Sequence, residues 1–512
     1  MTSGVAHGFA GRTAALFVLP YLLLMLAWAM SNPPGAAPDE LDHLVKALGV
    51  GQLEIGKPFT GPTRSNLGAQ RNASISRVVR IPAQLAPNGY ACMAFKSKVS
   101  AACLPDGPSA GTGQVEARTT MGAYPPFLYL PAGVAAHLAS TPAQAFRVGR
   151  LIFAAISAML LFVGAYQLVA WLGRWSLLGA FVGLTPMAVF SSSILSTSGV
   201  EISAGFAVAS TVVVVTRRPE ALFSRRSQVL LAVSGAALVL SRQLGVVTLG
   251  VLLLVMAVRL GPLRLWQLLR ARTLVFVLSF AALVTACAAV TWWELTYDHP
   301  SNTGTPFSRA ALRGFDAGLL DAVRSGVGNF GWLDTPMPKI AVAAWVMVVV
   351  VLCGTALLLA RAADLWTLLA LLAAGLVTAY VVYSIVFSPL GAALQGRHML
   401  PLFVALPLMS GIVVVERLRS SSLRDALPRL YAVTGAVVGV LQLAAVYVNA
   451  HRYAVGTSGP LWFLGHEQWR PPLGWPVWLV IAAAGATWLA LFAARSHRDV
   501  TPNVVSEELT ST

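Results

Sequence analysis

The sequence predicts an all-α integral membrane protein with about twelve transmembrane helices and a long first extracytoplasmic loop containing interfacial helices. Hydrophobic residues make up 56% of the 512-residue chain and charged residues only 11%, and the mean hydropathy is +0.71. Apolar stretches of about 20 residues, the length that crosses a bilayer as a helix, recur along most of the chain. These observations exclude a soluble enzyme, a disordered chain and a coiled coil.

The net charge of +16, from 36 basic and 20 acidic residues, points away from nucleic acid in this context. A basic soluble domain suggests nucleic-acid binding, but arginine in a membrane protein collects in cytoplasmic connections. We therefore expect membrane lipid, and no nucleic acid, as a partner.

The strongest apolar segments justify the predicted helices one by one. They lie at 13–30, 147–171, 176–194, 200–216, 228–241, 243–260, 273–293, 339–360, 365–387, 398–415, 430–449 and 475–494. Within 228–260, the polar run Ser241-Arg242-Gln243 favours two helices over one long bent helix. The run from Tyr124 to Ala139 is short and proline-rich, which predicts a helix in the outer interface rather than a span.

Alternation of these spans from a cytoplasmic N-terminus predicts a plasma-membrane protein with both termini in the cytoplasm. Every short connection on the cytoplasmic side then carries arginine, as the positive-inside rule requires. The extracytoplasmic side receives the large regions 31–146, 294–338 and 450–474. The predicted organisation is a transmembrane domain over 1–450, a final outer loop and helix over 451–498, and a disordered cytoplasmic tail over 499–512.

The four cysteines divide into two kinds. Cys287 and Cys353 lie in apolar runs and are typical of small core residues. Cys92 and Cys103 lie in the polar first loop, where an extracytoplasmic location permits a disulfide between them. Free thiols remain the alternative for this pair.

The sharpest cluster of reactive residue types follows the first helix, in the run PDELDH at positions 38–43. On a helix, Asp39, Asp42 and His43 share one face, and Glu40 points about a quarter turn away. Acids at a helix start also serve as caps, which is the structural alternative. Close outside the membrane, the same residues suit a general base or, with Glu201, a divalent cation such as Mg²⁺ or Mn²⁺.

Several arginines form a second group of candidates. They lie in predicted outer or membrane positions, where the positive-inside rule does not expect basic residues. An arginine within or near the membrane is costly, which makes each a functional-site hypothesis unless it snorkels to the interface. Together they would hold a lipid phosphate through bidentate hydrogen bonds. The candidates are Arg147, Arg150, Arg242 and Arg397.

Two further acids lie in predicted outer regions. Glu201 follows a serine-rich turn between two apolar segments, where packing of hydroxyls between helices is the alternative to binding. Asp334 lies in a tryptophan-rich loop that suits either a membrane-interface belt or a platform for a sugar, with Asp334 bonding hydroxyls.

The motifs PDELDH, YPPFLYL and QGRHMLP, in this order, resemble the domain of unknown function 2142 family of polytopic membrane proteins. The resemblance spans most of residues 10–450. Leu41 stands where the family often has proline, and His398 stands where it has tyrosine. This family in turn looks like the GT-C glycosyltransferases, which carry an acidic motif in a long first outer loop and use a polyprenyl-phosphate sugar donor.

The resemblance implies a glycosyltransferase that moves a sugar from a polyprenyl-phosphate donor to a glycan or glycolipid acceptor of the cell envelope. Asp39 matches the position of the catalytic base, Glu40 and His43 complete its motif, and Glu201 matches the acid of the second loop. Two alternatives stay open: a transporter or flippase of lipid-linked saccharide, and a non-catalytic membrane scaffold.

Overall fold

The computed structural model describes residues 2–63, 67–271, 273–297, 307–388 and 392–495. The predicted disordered tail, 499–512, lies outside these residues. The α-helices are α1 Thr2–Ser31, α2 Glu40–Gly51, α3 Leu67–Ile75, α4 Tyr129–Ala136, α5 Pro142–Leu172, α6 Leu178–Gly183, α7 Pro186–Ser191, α8 Thr197–Arg217, α9 Arg225–Ser241, α10 Gln243–Ala271, α11 Leu274–Thr296, α12 Arg309–Gly328, α13 Lys339–Leu359, α14 Ala362–Val382, α15 Leu400–Phe403, α16 Ala405–Arg419, α17 Leu427–Val455 and α18 Gly474–Arg495.

Ten helices in the described ranges are long and apolar enough to cross a membrane. They coincide with ten of the twelve predicted segments, and α14 continues into a π-turn while α15 and α16 join into one span. The chain is therefore a multi-pass, predominantly helical membrane protein, as predicted. The spanning helices are α1, α5, α8, α10, α11, α13, α14, α15–α16, α17 and α18.

The other two predicted segments form shorter helices. Segment 176–194 divides into α6 and α7 at Thr185-Pro186, because proline has no backbone N–H to continue the first helix. Thr185 caps α7 by accepting a bond from the backbone N–H of Ala188. Segment 228–260 forms two helices, as predicted, and Arg242 between them is extended, with φ −161° and ψ 162°.

Helices α5, α9, α10, α15 and α16 pack around α8, whose residues Thr197–Val215 are all buried. Small residues permit the closest approaches. A Cβ atom on Gly205 would lie 2.4 Å from the carbonyl oxygen of Pro401, so α8 meets α15 at backbone distance. This contact brings the QGRHMLP motif beside the first turns of α8.

The predicted first loop contains α2, α3 and α4, but also a small antiparallel sheet that the sequence analysis did not predict. Its strands are β1 Lys57–Pro58, β2 Arg77–Pro82 and β3 Gln114–Thr119, in the order β1-β2-β3. Asp42 joins α2 to this sheet, since its carbonyl accepts the Thr119 hydroxyl at 2.8 Å and its carboxylate accepts the Thr120 N–H at 2.6 Å. Helix α4 has eight residues, too few to span a bilayer.

Helices α2 and α4 lie against each other with almost no side chain between them. A Cβ on Gly133 would lie 2.0 Å from the Ala47 carbonyl oxygen, and one on Gly51 would lie 2.5 Å from the Gly133 carbonyl carbon. The two glycines therefore fix the distance between the helix of the PDELDH motif and the helix that begins at Tyr129.

The later connections tie back to the first loop. The second region contains α12 and a two-stranded sheet, β4 Asn329–Phe330 and β5 Thr335–Pro336. Arg452, near the end of α17, donates to the carbonyls of Met93, Lys96 and Val99 and to the carboxylate of Asp334 at 3.0 Å. The predicted domain boundary at residue 450 falls inside α17.

Arginines collect at the opposite end of the bundle. There the carboxylate of Asp364 accepts Arg217 at 2.6 Å, with Arg259 at 3.4 Å and Arg417 at 3.8 Å. The cluster joins the ends of α8, α14 and α16 to the middle of α10, in the connections where the sequence pattern predicts a cytoplasmic face.

Candidate active site

The motif residue Asp39 stands at the start of α2 with its carboxylate free of the helix. Its backbone is left-handed, with φ 59°, and its side chain makes no capping hydrogen bond. A left-handed conformation is uncommon for residues other than glycine, although aspartate adopts it more readily than most. The side chain keeps 49% of its surface exposed although its neighbours Pro38 and Glu40 are buried. Asp39 can therefore meet a substrate.

Glu40 points the other way and is fully buried against Arg150. Its two carboxylate oxygens accept Nε and Nη2 of Arg150 at 2.7 Å each, and one also accepts the Leu195 N–H at 3.0 Å. The remaining N–H groups of Arg150 reach the carbonyls of Ala29, Asn32 and Pro33 at 2.7–3.1 Å. Every donor of this guanidinium is used.

This ion pair changes the roles expected for its two members. The sequence predicts Glu40 among the reacting groups and Arg150 among the phosphate-binding arginines. Both side chains have no exposed surface, so neither reaches a substrate. They instead fasten α2 and the end of α1 to α5, which holds Asp39 in position.

Arg397 faces Asp39 from the QGRHMLP motif. Its Nη2 atom lies 4.0 Å from Oδ2 of Asp39, and only 7% of its side chain is exposed. Gly396 allows this placement, because a Cβ there would lie 2.0 Å from the Ala322 carbonyl oxygen of α12. Burial lowers the pKa of Arg397, while the carboxylate of Asp39 partly opposes this effect. Arg397 Nε is buried without a hydrogen-bond partner in the described ranges.

A second arginine enters the same cluster from the break between α9 and α10. Arg242 Nη1 lies 3.7 Å from the Glu201 carboxylate and 3.0 Å from the Ser198 hydroxyl. Nη2 donates to the Tyr124 hydroxyl, and the guanidinium lies 4.8 Å from the centre of that ring. The other oxygen of Glu201 is buried and has no partner among the residues described. The cluster therefore contains two cations and two anions.

His43 completes the wall of the cluster as a neutral side chain. Its Nδ1 atom lies 2.6 Å from the Tyr129 hydroxyl, and the two rings stack at 5.8 Å. Burial, together with the charges of Arg242 and Arg397, lowers the pKa of His43 well below its ordinary value. His398 stacks on Phe387 and has no hydrogen-bond partner for either ring nitrogen in the described part of the chain.

The sequence analysis missed both tyrosines of this site, although they belong to the quoted YPPFLYL motif. Tyr124 binds Arg242 and Tyr129 binds His43. A tyrosine directly before a double proline, in a loop already assigned to the outer side, was the signal available for Tyr124.

Two predicted site residues lie apart from this cluster. The carboxylate of Asp334 accepts a hydrogen bond from Arg452 at 3.0 Å. The same arginine binds three carbonyls of the first loop, so Asp334 stabilises that contact. Arg147 lines a separate cleft with Tyr90 and Trp469. That cleft adjoins the segment in which Cys92 and Cys103 form a disulfide.

The predicted metal ligands do not form a complete cation site. Across the described ranges, no group of three His, Cys, Asp or Glu side chains could hold a metal ion. Of the predicted set, Glu40 is occupied by Arg150 and Glu201 is held beside Arg242.

An apolar cavity of about 360 Å³ begins beside Arg397. Gly396 and Met399, on either side of the arginine and His398, belong to its wall. Helices α6, α12, α13, α14, α15 and α16 supply most of the rest, with Val323, Trp345 and Leu376 among the lining residues. A cavity of this kind fits a hydrocarbon chain.

Comparison with known proteins places the chain in a family. No curated protein matches it. It is similar to a crystal structure of ArnT from Cupriavidus metallidurans in the apo state, with 13% sequence identity and a TM-score of 0.44, covering 95% of this chain and 76% of ArnT. Residues 22–406 match the family model described as "Predicted membrane protein (DUF2142)". Because this match covers well over half of the 512 residues, the chain belongs to the DUF2142 family of membrane proteins.

Proposed function

We propose that the protein is a membrane glycosyltransferase that moves a sugar from a polyprenyl phosphate to an extracytoplasmic acceptor of the cell envelope. The observation that carries this proposal is the half-exposed Asp39 carboxylate, which faces the buried arginine Arg397 at 4.0 Å. A general base and a cation for a leaving phosphate are the two groups that such a transfer requires.

In the proposed step, Asp39 accepts the proton of the acceptor hydroxyl. The oxygen of that hydroxyl bonds at the same time to the anomeric carbon of the sugar. The bond from that carbon to the phosphate oxygen breaks, and the electron pair leaves with the polyprenyl phosphate. Arg397 stabilises this negative charge, and Arg242 adds a second cation, partly offset by Glu201 at 3.7 Å. The apolar cavity beside Gly396 receives part of the prenyl chain.

The same geometry supports an active site on the extracytoplasmic side, with both termini in the cytoplasm. Arg217, Arg259 and Arg417 gather at the end of the bundle remote from Asp39, as the positive-inside rule expects of a cytoplasmic face. The disulfide between Cys92 and Cys103 suits an oxidising compartment for the first loop.

The test is native mass spectrometry of Asp39→Asn with the lipids that co-purify with it. Loss of the base should slow transfer by about 10²–10⁴-fold, so the donor should stay bound as a polyprenyl phosphate carrying one sugar. Asp316→Asn, a change of an exposed acid on α12, is the matched control. In an Asp39→Asn/Arg397→Gln double variant the lipid should be lost.

Two outcomes would replace the proposal. A retained lipid carrying a whole oligosaccharide would identify a flippase, which binds the phosphate but needs no base. Bulk phospholipid alone, in repeated preparations with well-folded protein, would leave Arg397 without its ligand and favour a scaffold.

A further inference from the structure

A polar cleft of about 610 Å³ lies between two outer segments, and none of its lining residues belongs to the Asp39 cluster. One wall comes from the disulfide segment of the first loop, with Tyr90 and Asp106, and the other comes from residues 467–472 before α18. The first turns of α5, from Thr141 to Arg147, contribute the third side. Its volume is typical of a small-molecule site, roughly 300–1,000 Å³.

Of the two arginines that line the cleft, only Arg470 has an acid within ion-pair distance in the described ranges. Arg470 is bound by Glu467 at 3.2 Å, which neutralises it. Arg147 Nε is buried and has no hydrogen-bond partner within the described ranges. Arg150, one turn further along α5, has all its donors satisfied, so the two arginines of this helix differ in their hydrogen bonding.

The start of α5 adds to the attraction for an anion. Thr141 caps this 31-residue helix, and both Thr141 and Ala143 line the cleft. A helix N-terminus carries a partial positive charge, although in α5 Pro142 has no N–H and the Gln144 N–H is already bound by the Thr141 hydroxyl. Arg147 and the helix start therefore attract a negative group to the same wall.

The remaining wall suits hydroxyl groups and a sugar ring. Trp469 is partly exposed in the cleft, and its backbone is fixed by the Trp475 indole N–H at 2.9 Å. Asp106 is exposed at the rim and can accept hydrogen bonds from hydroxyls. The neighbouring segments are held in place, because the Ser100 hydroxyl donates to the Gln468 side chain at 2.7 Å.

We infer that this cleft binds an acidic saccharide, with the carboxylate or phosphate of the sugar on Arg147 and a ring against Trp469. Binding here requires no group transfer, so the inference goes beyond the proposed function and does not depend on it. The cleft would hold an acidic saccharide while Asp39 remains free.

The test is binding of the full chain, in detergent, to an array of immobilised saccharides that carry uronic acids, phosphates or no charge. Acidic saccharides should retain the protein and neutral ones should not, and Arg147→Gln should weaken retention at least about tenfold. Uronic acids and phosphosugars are scored separately, which distinguishes the two sources of negative charge. Arg80→Gln is the matched control, because this exposed arginine of the first loop is paired with Glu54 at 3.6 Å and does not line the cleft.

Three results would overturn the inference. The wild type could ignore acidic saccharides, or Arg147→Gln could bind as well as the wild type while keeping its apparent Tm. Inorganic phosphate could also displace the saccharide at an equal concentration, which would reduce the cleft to a simple anion site. Asp39→Asn should bind normally, so failure of the transferase proposal and failure of this one are distinguishable.

Discussion

The buried pair between Glu40 and Arg150 makes a quantitative prediction for Glu40→Gln. The substitution keeps the shape of the side chain but removes its charge, and Arg150 keeps its own charge with no exposed surface. Breaking a fully buried pair by removing one partner costs about 3–5 kcal/mol. The three carbonyl contacts of Arg150 remain, which favours the lower half of this range.

The expected result is a lower unfolding temperature. An unfolding entropy of about 2.1 cal/mol/K per residue, applied to 512 residues, converts the loss into a fall of the apparent Tm by about 3–4 °C. The assay is the intrinsic tryptophan fluorescence of the purified protein in detergent during heating. Unfolding of the chain is followed relative to the wild type in the same detergent.

A surface pair provides the control for this experiment. Asp321 and Arg324 lie 3.0 Å apart on α12 with 73% and 52% of their side chains exposed. Exposed pairs contribute little, so Asp321→Asn should leave the apparent Tm unchanged. Equal unfolding temperatures for Glu40→Gln and the wild type, or an equal fall in both variants, would refute the assignment of Glu40 to a structural pair.

Two further predictions concern α2. Gly133→Ala inserts a Cβ 2.0 Å from the Ala47 carbonyl oxygen, so the variant should lose about 1–3 kcal/mol of stability and displace the His43–Tyr129 pair. Gly354→Ala, with open space around it, is the control and should have the Tm of the wild type. Equal Tm values for the two variants would contradict the prediction. Burial lowers the pKa of Lys46 from 10.5 to about 7. Because the unfolded chain binds more protons between these values, stability should rise with pH from about 7 to 10, and Lys46→Met should remove that slope in melting curves recorded across this range.

Apolar runs in the sequence predict the spanning helices well. The elements that they do not predict depend on contacts between distant segments of the chain. The apolar run 339–360 became α13 at Lys339–Leu359, because membrane length and hydropathy are properties of the run itself. Segment 176–194 is also apolar, yet Pro186 divides it and both pieces are buried against other helices. The three-stranded sheet of the first loop was missed, since its short strands are separated by up to about thirty residues of irregular chain.

In the candidate site, too, local motifs predict some residues, and others depend on contacts that only the fold determines. The motifs singled out Asp39 and Arg397, and the structure brings the two side chains to 4.0 Å although they lie in distant parts of the chain. Composition could not tell Arg147 from Arg150, because only the fold determines which faces a cleft and which meets Glu40. Lys46 gave no signal at all, since its burial over Trp293 depends on a helix far along the chain.

The contacts of Arg452 have a consequence for the order in which the protein is made. The carbonyl of Met93 accepts a hydrogen bond from Arg452, which lies 359 residues later in the chain. At about 5–20 residues per second of synthesis, the ribosome needs roughly 20–70 s to supply that arginine. During this interval the first loop has left the ribosome without the hydrogen bonds of Arg452. The disulfide between Cys92 and Cys103 can therefore form before these bonds do. A chain truncated before residue 452 would leave the carbonyls of Met93, Lys96 and Val99 without this donor.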